Sequence, residues 1–414
     1  MKFLINFSRL YGFTVFLLAF SLPFYFKFNN WVLGLFYLMS FIYLFQHKSR
    51  YSFSKRALWH ILPMAGFFVI SLIGMLYSSY LDQATKDVVR MLPLLLTPIA
   101  IIGNKDFYRQ FANPLFLGLV LGCLTAVLIC WGNAIAEMMI NKEPLSYFFR
   151  WRHMNHQLTA VIGMHAGYLA LFIAFSVAII IYKYKGLNRT YRLLANLVLL
   201  LFSLFLFSLM ARAVLGFFIL SALLYFLIKG KWKLILAFVI VILSFGFIAT
   251  QVDDQYNYLL DKTVYQLPLI GKKGDKTQRF ERLGATKYMF LEHPIIGVGN
   301  SDSKQFRQKY YLETGDKKAY KNQFNAHNQF FEFLDEYGLI GALIYIAFFV
   351  EVIILSWKKR DYLFLYLSLL FLVANLTESM LQRTHGIVFC AIFFSLFLSK
   401  YSHKGLSSNK VINN

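Results

Sequence analysis

One histidine, two asparagines and three carboxylates fall together in NAHNQFFEFLDEYGLIG (325–341), just before the chain becomes continuously apolar. His327 lies between Asn325 and Asn328, and Glu332, Asp335 and Glu336 follow it. Imidazole is the side chain best matched to taking or giving a proton near neutral pH, so the pattern could activate a hydroxyl group. The plainer reading is a capped helix with a bystander histidine, Asn325 serving as the N-cap. Gly338 and Gly341 would let a neighbouring helix approach closely at the same point. The carboxylates either tune the imidazole or face water.

Arginines make the second group. Arg212 in SLMARAVLGFF sits among apolar residues, where a charge costs about 2.5–3.5 kcal/mol on insertion scales and normally takes a partner. Arg279 and Arg282 in KTQRFERLGATKYMFLEHPIIGVG fall one turn apart on an expected helix that stops at Pro294. Gly297 and Gly299 beyond it permit a tight backbone path. Weaker candidates are Arg90, Arg150 and Arg152, His165, and Glu378 with Arg383. A guanidinium fork suits phosphate oxygens, so arginines gathered beside lipid point to a phosphorylated or pyrophosphorylated lipid. Singly, each has a bland alternative: Arg212 snorkels at a helix tip, and the helical pair faces water. No Asp-rich pair, glycine-rich phosphate loop, DxD or HExxH occurs, so neither a metal nor another cofactor is expected. Cys123, Cys130 and Cys390 lie in apolar runs without ligand spacing, which indicates neither disulfides nor a zinc site.

The elements that must position these residues are membrane helices. At 58% hydrophobic and 19% aromatic, 414 residues cannot form a soluble globule with a polar skin. Apolar runs at 9–26, 30–46, 58–78, 88–103, 114–138, 159–182, 193–209, 212–228, 233–250, 337–356, 362–377 and 385–400 predict an all-α polytopic membrane protein with about twelve transmembrane helices. The fourth run carries Pro93 and Pro98 and is expected to kink or re-enter. Residues 193–228 as one helix would extend about 54 Å, so they read as two helices with SLMAR at the turn. Only a hairpin puts their two basic flanks on one side.

The net charge of +22 sits mostly in short connectors, where it sets membrane orientation rather than binding nucleic acid. Both termini are then cytoplasmic, and the N-terminus reads as a retained signal anchor. The chain divides into nine spans (1–250), one large outer segment (251–336) with helices near 276–293 and 301–312, and three spans with a tail (337–414). No internal repeat is visible, which counts against a secondary transporter. By this topology the arginines and His327 gather at the outer face.

About twelve spans, a long loop between the ninth and tenth, AR opening a span, R-x14-P-x2-G-x-G (279–299) and HNQFFEFLDEYGLIG together resemble the O-antigen ligase superfamily. The motifs that carry the resemblance fall within roughly 205–345. It implies a glycosyltransferase of the GT-C type in the bacterial inner membrane, with its active site facing the periplasm. The implied donor is a glycan on undecaprenyl diphosphate. The implied acceptor is a sugar hydroxyl of lipid A-core in a ligase, or a second lipid-linked repeat in a polymerase. Residue by residue, Arg212 and Arg279 match the arginines that hold the donor pyrophosphate, and His327 matches the histidine that activates the acceptor. Ala211 departs from the serine often found before the first arginine. The expectation is a metal-independent, inverting ligase, with a polymerase as the alternative. A lipid-linked glycan flippase is a third reading, and it would spread its charges through a mid-membrane cavity.

Overall fold

A computed structural model describes residues 2–144, 147, 148, 150–233, 236, 239, 240, 243, 244, 247 and 279–403. Among them are helices and no strand, with one isolated bridge between Tyr51 and Asn104. The helices are α1 (Lys2–Phe20), α2 (Phe26–Gln46), α3 (Lys55–Leu76), α4 (Leu81–Met91), α5 (Pro93–Ile102), α6 (Phe107–Ile140), α7 (Asn155–Thr159) and α8 (Ala166–Lys183). There follow α9 (Arg189–Leu209), α10 (Arg212–Ile228), α11 (Arg279–Glu292), α12 (Ser303–Glu313), α13 (Lys317–Asn322), α14 (Gln329–Lys358), α15 (Tyr362–Asn375) and α16 (Thr384–Ser399). Six are long and apolar enough to cross a membrane, namely α2, α3, α6, α8, α9 and α14, and shorter apolar helices accompany them. The chain is an all-α polytopic membrane protein.

The chain forms two compact units, one from residues 1–22, 26–119 and 280–414, the other from 23–25 and 120–279. In the first unit α16 is the core. Every residue from His385 to Ser399 is buried, which is why that sequence is apolar all round rather than on one stripe. It packs mainly on α5 and also on α3 and α4. Phe397 of α16 stacks on Phe364 of α15 at 4.9 Å between ring centroids. On the other side of α3, Phe67 stacks on Phe333 of α14 at 5.3 Å.

The expected fourth span breaks into two helices at Leu92, with Pro93 opening the second, where its missing N–H costs nothing. The ten residues of α5 rise about 15 Å, half of a hydrocarbon core of about 30 Å. The preceding α4 is amphipathic: Ala84, Val88 and Met91 are buried at helical spacing while Asp82 and Lys86 are exposed.

In the second unit α8 is buried on nearly every face, and α9 and α10 pack against it. Residues 193–228 are indeed two helices. Met210 takes a left-handed conformation (φ 50°) that caps α9, and α10 starts at Arg212. The expected ninth span (233–250) lies largely outside the described residues. Residues 251–278 of the outer segment and the tail beyond 403 lie wholly outside them.

Candidate active site

The start of α14 organises one end of the first unit. The expected membrane entry at 337 is preceded by a further helical stretch, because α14 begins at Gln329. Its N-cap is Asn328, a correction to the assignment of Asn325. Asn328 is extended (φ −155°), and its Oδ1 accepts from the Phe330 and Phe331 amides at 3.0 and 3.3 Å. Its Nδ2 donates to the Leu376 carbonyl at 3.3 Å. Asn325 instead accepts the His327 amide at 3.3 Å, forming an Asx turn that holds His327 at φ 48°. Left-handed backbone is uncommon outside glycine, though histidine adopts it more readily than most.

The carboxyl groups of α14 do not face water. Glu332, Asp335 and Glu336 are all buried. Arg307 of α12 grips Glu332 with a two-pronged fork, Nη1 to Oε1 at 3.0 Å and Nη2 to Oε2 at 2.6 Å, and lies 3.7 Å from Asp335. Burial opposes the charge on Arg307, but the attraction of Glu332 and Asp335 outweighs it and holds the guanidinium pKa above its usual value. Glu332 also accepts the Ala326 amide at 2.8 Å and the Ser379 hydroxyl at 3.2 Å. Thr286 of α11 donates to Asp335, and Gln382 donates to Glu336 at 2.9 Å.

At its tenth residue, Gly338 (φ 60°, ψ −151°), α14 breaks. The break would orphan backbone groups on both sides of it. The loop after α11 satisfies them. Val298 and Gly299 donate to the carbonyls of Asp335 and Glu336, each at 3.0 Å. Leu339 and Ile340 donate to the carbonyls of Pro294 and Ile295 at 2.9 and 3.3 Å. A Cβ at Gly338 would lie 2.5 Å from the Ile295 backbone, and one at Gly297 would lie 2.5 Å from the Glu336 and Tyr337 backbone. The glycines of PIIGVG and YGLIG thus admit a loop rather than the neighbouring helix expected at Gly338. Gly341 meets side-chain and backbone atoms of its own helix, Tyr337 and Phe333.

The structure brings several of the candidate residues together at this end. His327 Nδ1 is 3.4 Å from Glu378 Oε2, both groups being partly buried. Arg90 of α4 donates to the Gln382 carbonyl at 2.9 Å and pairs with Asp87 at 2.6 Å. Asp87 in turn accepts from Ser301 at 3.1 Å. Arg282 stacks over the Phe324 ring at 4.2 Å. Arg383 is exposed at the N-cap of α16. The backbone of Arg279 opens α11, while its side chain lies outside the described residues.

Other candidates belong to the second unit. Arg212 is half-buried as the first residue of α10. Arg152 is 3.6 Å from Glu137, and His165 caps α8 by accepting the Gly167 amide. Among the described residues no three His, Cys, Asp or Glu side chains converge as a metal site. Arg307, Asp87 and Gln382 are the polar residues that reasoning from sequence missed. Arg307 and Gln382 meet carboxylates 25 and 46 residues away, so no local spacing marks them, whereas Asp87 pairs with Arg90 one helical turn on.

The arrangement can do proton chemistry. A histidine is held by an Asx turn, faces a carboxylate through one ring nitrogen, and is anchored to a helix whose position is set by a buried ion pair. A comparison with curated proteins gives no match. Residues 197–346, which contain Arg212, Arg279 and His327, match the family model described as O-antigen ligase, and this match over part of the chain supports the O-antigen ligase superfamily.

Proposed function

We propose that the protein is a ligase that moves a glycan from undecaprenyl diphosphate onto a sugar hydroxyl of lipid A-core, in the periplasmic leaflet of the bacterial inner membrane. Its topology is about twelve spans with cytoplasmic termini, and residues 251–336 form the large periplasmic segment. The observation that carries the reading is the His327–Glu378 pair, at 3.4 Å, whose histidine lies within the stretch that matches the family. With Nδ1 turned to Glu378, Nε2 is the nitrogen that takes the acceptor proton. The acceptor oxygen forms a bond to the anomeric carbon from the face opposite the diphosphate. The bond from that carbon to the diphosphate oxygen breaks, and the electron pair leaves with the diphosphate. Inversion follows from this single displacement. Arg212 and Arg279 take up the leaving group's charge, which two guanidiniums can do without a metal.

The test is His327→Ala, assayed for transfer in membranes with protein amount measured in parallel. Transfer falls to background while the protein persists; wild-type transfer in that variant overturns the assignment. The family match fits a polymerase equally, and cells lacking the protein distinguish the two. Loss of a ligase leaves long polymer on undecaprenyl diphosphate beside bare lipid A-core. Loss of a polymerase leaves lipid A-core carrying one repeat.

A further inference from the structure

The carboxylate that faces His327 stands on a different element from the histidine. Glu378 lies in the connector between α15 and α16, whereas His327 immediately precedes the cap of α14. Such a connector carries backbone groups that its own helices do not satisfy. Leu376 is the C-cap of α15, so its carbonyl is one that a helix end leaves without an intrahelical donor. Met380–Gln382 form a 3₁₀ turn, and the early amides of a turn lack acceptors within it. The amide of Leu381, a buried residue, is one of these.

The cap and the first residue of α14 supply both partners. Asn328 Nδ2 donates to the Leu376 carbonyl at 3.3 Å, and Gln329 Oε1 accepts the Leu381 amide at 2.6 Å. The two ties fall on either side of Glu378. Further along α14, Glu332 accepts the Ser379 hydroxyl at 3.2 Å and Glu336 accepts from Gln382 at 2.9 Å. Arg90 of α4 holds the Gln382 carbonyl at 2.9 Å. The choice of side chain at 328 is informative. Asparagine, aspartate and serine cap a helix about equally well, because each offers the acceptor. The amide adds a donor on a separate atom, able to reach a second segment while the cap stays made. The Phe330 and Phe331 amides can only donate, so they take Oδ1 and leave Nδ2 for Leu376.

We infer that Asn328 and Gln329 are positioning residues: they tie the connector to the start of α14 on both sides of Glu378, and so hold that carboxylate against Nδ1 of His327. The inference rests on His327 as the acceptor-activating base, and extends the site to side chains that act through Glu378.

The test uses the full chain in lipid nanodiscs, with an undecaprenyl-diphosphate glycan as donor and the delipidated core oligosaccharide as acceptor. Asn328→Ser keeps an acceptor for the cap and removes the donor to Leu376. Its kcat is expected to fall by about fivefold, with donor and acceptor KM unchanged. Gln329→Met, of similar volume, removes the acceptor from the Leu381 amide and is expected to act in the same way. Wild-type kcat in both variants overturns the inference, and so does a loss carried by KM alone. If Asn328→Ser fails to accumulate in the membrane, Gln329→Met decides; failure of both assigns the pair to folding and overturns the inference.

A double variant separates positioning from general support of the fold. Glu378→Ala removes the group being held, so adding Asn328→Ser to it should leave kcat as it is in Glu378→Ala alone. A further loss of about fivefold in the double variant overturns the inference, because independent effects multiply. Full transfer by His327→Ala removes the base assignment and the inference with it. Background transfer by His327→Ala beside wild-type kcat in Asn328→Ser and Gln329→Met overturns the positioning alone. If the enzyme accepts a lipid-linked repeat in place of core, the same series with that repeat decides it.

Discussion

Gly338→Ala is expected to be among the most damaging single-methyl changes in the protein. The residue sits at φ 60°, ψ −151°, a region that is essentially glycine-only and costs other residues about 1–3 kcal/mol. The new Cβ would lie 2.5 Å from the carbonyl carbon and oxygen of Ile295 and 2.6 Å from the Gly297 nitrogen. These are backbone atoms, so no rotamer change relieves the clash. The 294–299 loop must withdraw, and its four hydrogen bonds to α14, between 2.9 and 3.3 Å, are at risk. At about 1 kcal/mol for each of two or three lost bonds, added to the strain, the total is about 3–6 kcal/mol.

Unfolding of such a protein is commonly irreversible, so the measurable quantity is the half-life of heat inactivation in nanodiscs. If the lost contacts are intact in the transition state for unfolding of the wild type, the half-life shortens by about 100-fold or more. Gly297→Ala should behave alike, because its Cβ strikes the other side of the same junction. The double variant should be little worse than either single one, since both break one contact. Wild-type half-life and transfer in Gly338→Ala would refute the account of the break.

Two further outcomes follow from the same end of the molecule. Arg307→Met leaves Glu332 and Asp335 buried without their cation, and should cost about 3–5 kcal/mol; membrane levels and inactivation half-life equal to wild type would contradict the pairing. Glu378→Gln removes one charge-assisted contact to His327; kcat should fall by about tenfold with both KM values unchanged. An equal loss through KM alone would show that Glu378 contacts substrate instead of orienting the imidazole.

How much of this was legible from sequence depends on whether the signal is local. The division of 193–228 is legible because a single helix would be too long for the bilayer, and Met210 supplies the break there. The prolines of 88–103 announce an interruption, and Pro93 opens the second of two helices. The polar start of α14 misleads. Gln329, Glu332, Asp335 and Glu336 read as a wet connector, yet they are buried by Arg307, Ser379, Leu381 and Gln382. Those partners stand 25 to 52 residues away, and hydrophobic periodicity says nothing about them. The glycines mark a close approach in either reading, but sequence cannot tell a helix from a returning loop. Asn325 and Asn328 are both competent caps, and only the path of the chain chooses between them.

The completely enclosed α16 has a consequence for how the protein comes into being. Its packing surface on α5 is made from Pro93–Ile102, whereas α16 itself starts at Thr384. A ribosome adding about 5–20 residues per second needs on the order of 15–60 s to cover the intervening chain. During that interval the early helices sit in the bilayer with their central partner missing, and lipid or an insertase must occupy its place. The core of the first unit is therefore closed late in synthesis, by a helix that must enter between neighbours already in the membrane.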